Sequence, residues 1–180
     1  EGVPGGIGPE LRVWISEGRN FRAVPAEPAV AVVRESGDLF NLANFAESAD
    51  LGDYAGRGVA QEWRGRISVP VTGDYVFVLD LVKEEEPERW ASQREDDLTW
   101  VAALSIGGKQ ILAAEAEVKR WLPGTEAFRI PHAATLRLEE GEHEVSLFTN
   151  FVNQKGPVNY EPFALRLKMR SPADRILAAL

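Results

Sequence analysis

The sequence contains no cysteine. Disulfides, thiol nucleophiles, thiolate zinc sites and iron–sulfur clusters are therefore excluded. The compartment stays open on this ground, because bacterial surface domains often lack cysteine too. Histidine is scarce: only His132 and His143 are present, eleven positions apart and without metal-type spacing. His143 lies beside a hairpin turn and reads as a surface residue rather than a base. No apolar run approaches ~18 residues, so no helix would cross a bilayer. A basic excess is also missing. The chain holds 28 acidic against 20 basic residues, for a net charge of −8. That balance argues against nucleic acid and anionic membrane surfaces as partners. Gly-x-Ser-x-Gly, a phosphate loop and a histidine metal motif are all absent, and the sequence is not expected to encode an enzyme. The chain starts at Glu1 with no signal-like apolar stretch and reads as a mature fragment.

What is present suits one globular domain. At 180 residues the chain can bury roughly 70% of its unfolded surface without metal or disulfide. Glycine and proline are scattered along it and punctuate short apolar runs, an all-β pattern. Leu11-Arg12-Val13-Trp14-Ile15 alternates and reads as the first strand. Thr72-Gly73-Asp74 separates the strand end Ile67–Val71 from Tyr75–Leu81. The latter run is apolar on nearly both faces and is expected at the centre of a sheet. Gly107-Gly108 between Leu104–Ile106 and Lys109–Leu112 predicts a hairpin with a primed turn. Glu139–Glu142 predicts another. In residues 163–170, Phe163, Leu165, Leu167 and Met169 alternate with Ala164, Arg166, Lys168 and Arg170, a strand with one wet face. Trp14, Trp63 and Trp121 lie in or beside apolar runs and are expected in the core. Helix is expected over 87–95, over 113–122, where Ala, Glu and Lys dominate, and over a tail opened by Ser171 and Asp174. The expected fold is an all-β antiparallel sandwich or barrel, jelly-roll-like, of about eight to ten strands with short helices in the connections. Residues 1–170 form a single recognition domain and 171–180 a short helical tail.

Several pieces, in their order, resemble one domain family. They are Leu11–Phe21, Glu62–Pro70 followed by Thr72–Phe77, Leu104-Ser-Ile-Gly-Gly-Lys109, and Leu136–His143. The family is the β-barrel domain named after the anthrax protective antigen, which also occurs in yeast flocculins and adhesins, some glycosidases and bacterial surface proteins. The resemblance spans roughly residues 11–170. It implies a non-catalytic module, extracellular or on the cell surface and attached through regions outside this chain, commonly directed at glycans. In sugar-binding members two adjacent aspartates after the central strand hold calcium, and the hard carboxylate oxygens suit that ion. The only such pair here is Asp96-Asp97, separated from Leu104 by six residues. Calcium held by Asp96 and Asp97 is what the resemblance implies.

The pair lies in an acidic insertion at 82–98, where seven acidic residues stand against three basic ones. Trp90 and Trp100 flank this insertion and are candidate exposed anchors for a partner. A second candidate region is the loop Asn150–Tyr160. Its Asn150, Asn153, Lys155 and Asn159 offer donors and acceptors for sugar hydroxyls, and Tyr160 offers a ring to stack on a sugar face. Three readings follow. The chain is a glycan-binding adhesion module, or a homotypic or heterotypic protein-recognition domain in cell–cell contact without calcium, or a structural accessory domain of a larger toxin or glycosidase.

Overall fold

The computed structural model describes residues 10–33, 58–83, 99–117, 130–153, 163–174 and 178–179. The described chain is all-β. Ten strands follow in order: β1 (Glu10–Ile15), β2 (Ala31–Val33), β3 (Val59–Val69), β4 (Gly73–Lys83), β5 (Thr99–Ile106), β6 (Lys109–Glu117), β7 (Ile130–Leu138), β8 (Gly141–Val152), β9 (Phe163–Arg170) and β10 (Ala178–Ala179). They form two antiparallel sheets, six-stranded β2-β1-β3-β8-β5-β6 and four-stranded β10-β9-β4-β7.

Side chains alternate along each strand, and the inward set from both sheets builds one core. Leu11, Val13, Trp63, Ile67, Trp100, Leu104, Leu147 and Phe151 come from the larger sheet, and Tyr75, Phe77, Leu79, Leu165, Leu167 and Met169 from the smaller. Each large side chain so buried contributes roughly 1.5–3 kcal/mol. Tyr75 is fully buried, and its hydroxyl donates to the Val71 carbonyl at 2.7 Å. β4 lies between β9 and β7 as its two apolar faces require.

Where helix is expected, the described residues form strand or turn. Residues 113–117 belong to β6: Ala114 and Ala116 are buried inward while Ala113, Glu115 and Glu117 face outward. Period-two burial overrides the helical propensity of Ala and Glu. In the tail, Ser171 and Asp174 close a turn, with Asp174 N–H donating to the Ser171 carbonyl at 3.2 Å, and 178–179 pair with β9 as β10. The expected helix over 87–95 lies outside the described residues, as do 118–122.

The two ends of the sandwich differ. At one end three connections are tight, residues 70–72, Gly107-Gly108 and Glu139-Glu140, and Ser171–Asp174 turns there after β9. Gly107 and Gly108 both have positive φ, 57° and 76°, as a primed hairpin turn requires. The Thr72 hydroxyl accepts from the Glu140 N–H at 2.9 Å and stitches two of these turns together. His143 Nε2 donates to the Glu139 carbonyl at 2.7 Å across the same turn. The other end receives three long connections. The register there places Ile15 beside Val59, Val152 beside Thr99, Thr99 beside Glu117, Leu81 beside Ile130 and Lys83 beside Phe163. The connections 84–98, 118–129 and 154–162 therefore all leave from and return to this end, alongside residues 16–30.

Candidate functional site

The site is built on that long-loop end. β1 stops at Ser16, whose N–H donates to the Gly58 carbonyl at 2.8 Å just before β3 begins. Gly18 at φ 72° lets the chain turn, and Arg19 N–H donates back to the Ser16 carbonyl at 2.8 Å. The following segment lies over the outer face of the larger sheet, where Phe21 and Ala29 cover a second apolar cluster of Trp14, Ala60, Val101, Phe148 and Val152. Trp14 Nε1 donates to the Glu27 carbonyl at 2.9 Å and pins the far side of the segment.

Asn150 fixes the near side. It is buried at 2% exposure on β8. Its Oδ1 accepts from the Ser16 hydroxyl and its Nδ2 donates to the Phe21 carbonyl, both at 2.9 Å. Beyond β8, Asn153 adopts φ 64°, a left-handed conformation that asparagine tolerates. Its backbone N–H donates to Asn20 Oδ1 at 2.8 Å, and its Nδ2 approaches the Thr99 hydroxyl at 3.4 Å. Asn20 and Asn153 are exposed and adjacent, a pair of amides at the rim of the sandwich. Beside them the Arg19 guanidinium stacks over the half-buried Phe21 ring at 4.3 Å. Arg19 also grips the Glu27 carboxylate with two contacts of 2.5 and 2.6 Å. That hydrogen bonding raises the Arg19 pKa and lowers that of Glu27. Arg22 and Glu115 form a further ion pair. The result is a rim of amides and a cation-capped ring held by a rigid scaffold, chemistry suited to hydroxyl-rich ligands.

The expected site residues fall in three groups. Asn153 sits at the rim. Asn150 belongs to β8 rather than to the following loop, and both ends of its amide are committed to Ser16 and Phe21, so it positions the rim instead of facing a ligand. Trp100 is corrected from exposed anchor to core: it is fully buried, and its Nε1 donates to the Thr149 hydroxyl at 2.7 Å. Position 100 faces inward because it stands opposite Phe151 on β8. Lys155, Asn159, Tyr160, Trp90, Asp96 and Asp97 lie outside the described residues. Among the described residues, no group of three or more His, Asp or Glu side chains could hold a metal ion. Asn20, Arg19 and Phe21 did not emerge as candidates from the sequence, although Arg19-Asn20-Phe21 closes the opening segment of the family resemblance.

No family model matches the chain, and no curated protein matches it. Solved structures match it along nearly its full length. One is the PA14 domain of the MpAFP antifreeze protein, at 10% identity and a TM-score of 0.53, covering 100% of this chain and 91% of that one. Another is the β-glucosidase from Kluyveromyces marxianus, at 11% identity and 0.53, covering 92% of this chain and 17% of the enzyme. A third is an anti-sigma factor domain-containing protein from Clostridium clariflavum, at 12% identity and 0.53, covering 97% and 45%. The chain shares its fold with a PA14 domain. It spans less than half the length of the enzyme and of the clostridial protein.

Proposed function

We propose that the chain is a non-catalytic recognition module that binds glycans through its long-loop end, on the cell surface or outside the cell. One observation carries this reading. The connections 84–98, 118–129 and 154–162 leave from and return to one end of a two-sheet scaffold, opposite the short turns at 70–72, 107–108 and 139–140, and binding groups concentrate on loops of rigid scaffolds. The Asn20 and Asn153 amides supply hydroxyl partners at that rim. The chain shares the fold of the PA14 domain of an antifreeze protein along its whole length. Calcium belongs to the reading as a proposal. Asp96 and Asp97 would hold it with carboxylate oxygens, the donor chemistry calcium prefers, and Lys155, Asn159 and Tyr160 would line the ligand beside it.

The acidic 82–98 segment with Trp90 favours a second reading, recognition of a surface protein or of another copy of the chain without calcium. Screening the full chain on a glycan array, with and without calcium, separates the two. Saccharide binding that Asn20→Ala/Asn153→Ala abolishes supports the first. An empty array combined with concentration-dependent sedimentation supports the second.

A further inference from the structure

The chain is acidic overall, with a net charge of −8, but the outer face of the four-stranded sheet is not. Inward alternation of Leu165, Leu167 and Met169 on β9 sends Arg166, Lys168 and Arg170 outward in one row. β7 adds Arg137, and β4 contributes only Asp74 and Asp80. The aspartates do little to neutralise the row. Asp80 stands directly opposite Arg166 in the register, yet its buried carboxylate is held by Lys168 Nζ at 2.7 Å. Asp74 meets Arg137 only at 3.8 Å, with both side chains about 70% exposed, and such a pair is weak. Arg166 and Arg170 are exposed and make no ion pair or hydrogen bond among the described residues. Four residues of strand place their Cα atoms about 13 Å apart. Between and beside them lie small side chains, Val76, Val78, Ala133 and Thr135.

We propose that this face docks a linear acidic polysaccharide whose carboxylates repeat along an extended chain. Guanidinium groups form paired hydrogen bonds with carboxylates, so two exposed arginines in a row with no ion pair among the described residues match such a repeat. The low, flat floor of Val76, Val78 and Ala133 accommodates an extended chain. The face carries no aromatic side chain among the described residues, and buried aromatic anchors are what protein interfaces rely on. This surface is on the side of the sandwich, apart from the Asn20–Asn153 rim, so either site can fail without the other.

The test is retention of the full chain on immobilised polygalacturonate, with neutral dextran as the control matrix. The wild type binds polygalacturonate at low ionic strength, ignores dextran, and elutes as salt shortens the screening length to ~8 Å near 0.15 M. Arg166→Ser/Arg170→Ser weakens binding about tenfold with an unchanged far-ultraviolet spectrum. Asn20→Ala/Asn153→Ala leaves it intact. A wild type that is not retained, or a double arginine variant retained as well as the wild type, overturns the proposal. Equal or tighter binding to polyglutamate also overturns it, and reassigns the face to an acidic peptide.

Discussion

Asn150 and Ser16, 134 positions apart in sequence, share a buried hydrogen bond of 2.9 Å. It closes the long-loop end, because Asn150 lies near the end of β8 while Ser16 opens the segment that covers the outer face of the larger sheet. Replacing Asn150 with Ala removes the acceptor of the Ser16 hydroxyl's bond and the donor to the Phe21 carbonyl. The expected loss is about 2–3 kcal/mol, read by urea unfolding with an unchanged m-value. A loss below about 0.5 kcal/mol would mean that the amide does not fasten the segment.

Gln61 poses the opposite case. Its side chain is fully buried on the inward face of β3, beside Val13 and Thr149, and neither amide atom has a hydrogen-bond partner among the described residues. A desolvated, unpaired amide costs stability. Gln61→Leu, similar in volume, is expected to stabilise the domain by about 1–2 kcal/mol in the same assay. Destabilisation by a similar amount would show that the amide is paired in solution.

His132 faces Trp100 across the core, with ring centroids 6.2 Å apart. Burial lowers its pKa below the ordinary 6.5. The unfolded chain therefore takes the proton first, so its contribution is complete above about pH 6.5 and is lost as pH falls through and below that value. Thermal melts from pH 7.5 to 5 should show this decline, and His132→Leu should flatten it. An equal slope in both proteins would assign the acid sensitivity to the carboxylates.

Trp100→Phe removes the donor to Thr149 from a fully buried site. The expected loss is about 1–3 kcal/mol of stability, with binding at the rim unchanged in the proteins that remain folded. Loss of ligand binding at unchanged stability would return Trp100 to the surface.

Much of the scaffold was legible in the sequence because period two is a local signal. The alternation of residues 163–170, the doubly apolar 75–81 run and the Gly107-Gly108 turn all read directly into β9, β4 and the β5–β6 hairpin. Where intrinsic propensity and pattern disagreed, propensity misled: Ala113, Ala114, Glu115, Ala116 and Glu117 favour helix, yet β5 supplies a strand partner for every one of them. The candidate site was less legible. The sequence around Trp100 points to a loop edge, but its burial depends on facing Phe151 of a distant strand. Asn20 gains its place only through Asn153, 133 positions later, and nothing local marks that pairing.

Calcium gives a further prediction. If Asp96 and Asp97 hold the ion, millimolar calcium should raise Tm by several degrees, since saturation to 100 times Kd adds ~2.7 kcal/mol. Asp96→Ala/Asp97→Ala should abolish the shift. An unmoved Tm in the wild type removes calcium from the account.

The most direct test of recognition at the long-loop end compares two surface variants on the same glycan array, Asn20→Ala/Asn153→Ala at the rim and Lys109→Ala/Glu140→Ala at the tight-turn end. The account predicts saccharide binding by the wild type that the rim variant loses and the turn variant keeps. Loss confined to the turn variant, or cleavage of the bound saccharide by the wild type, would contradict it.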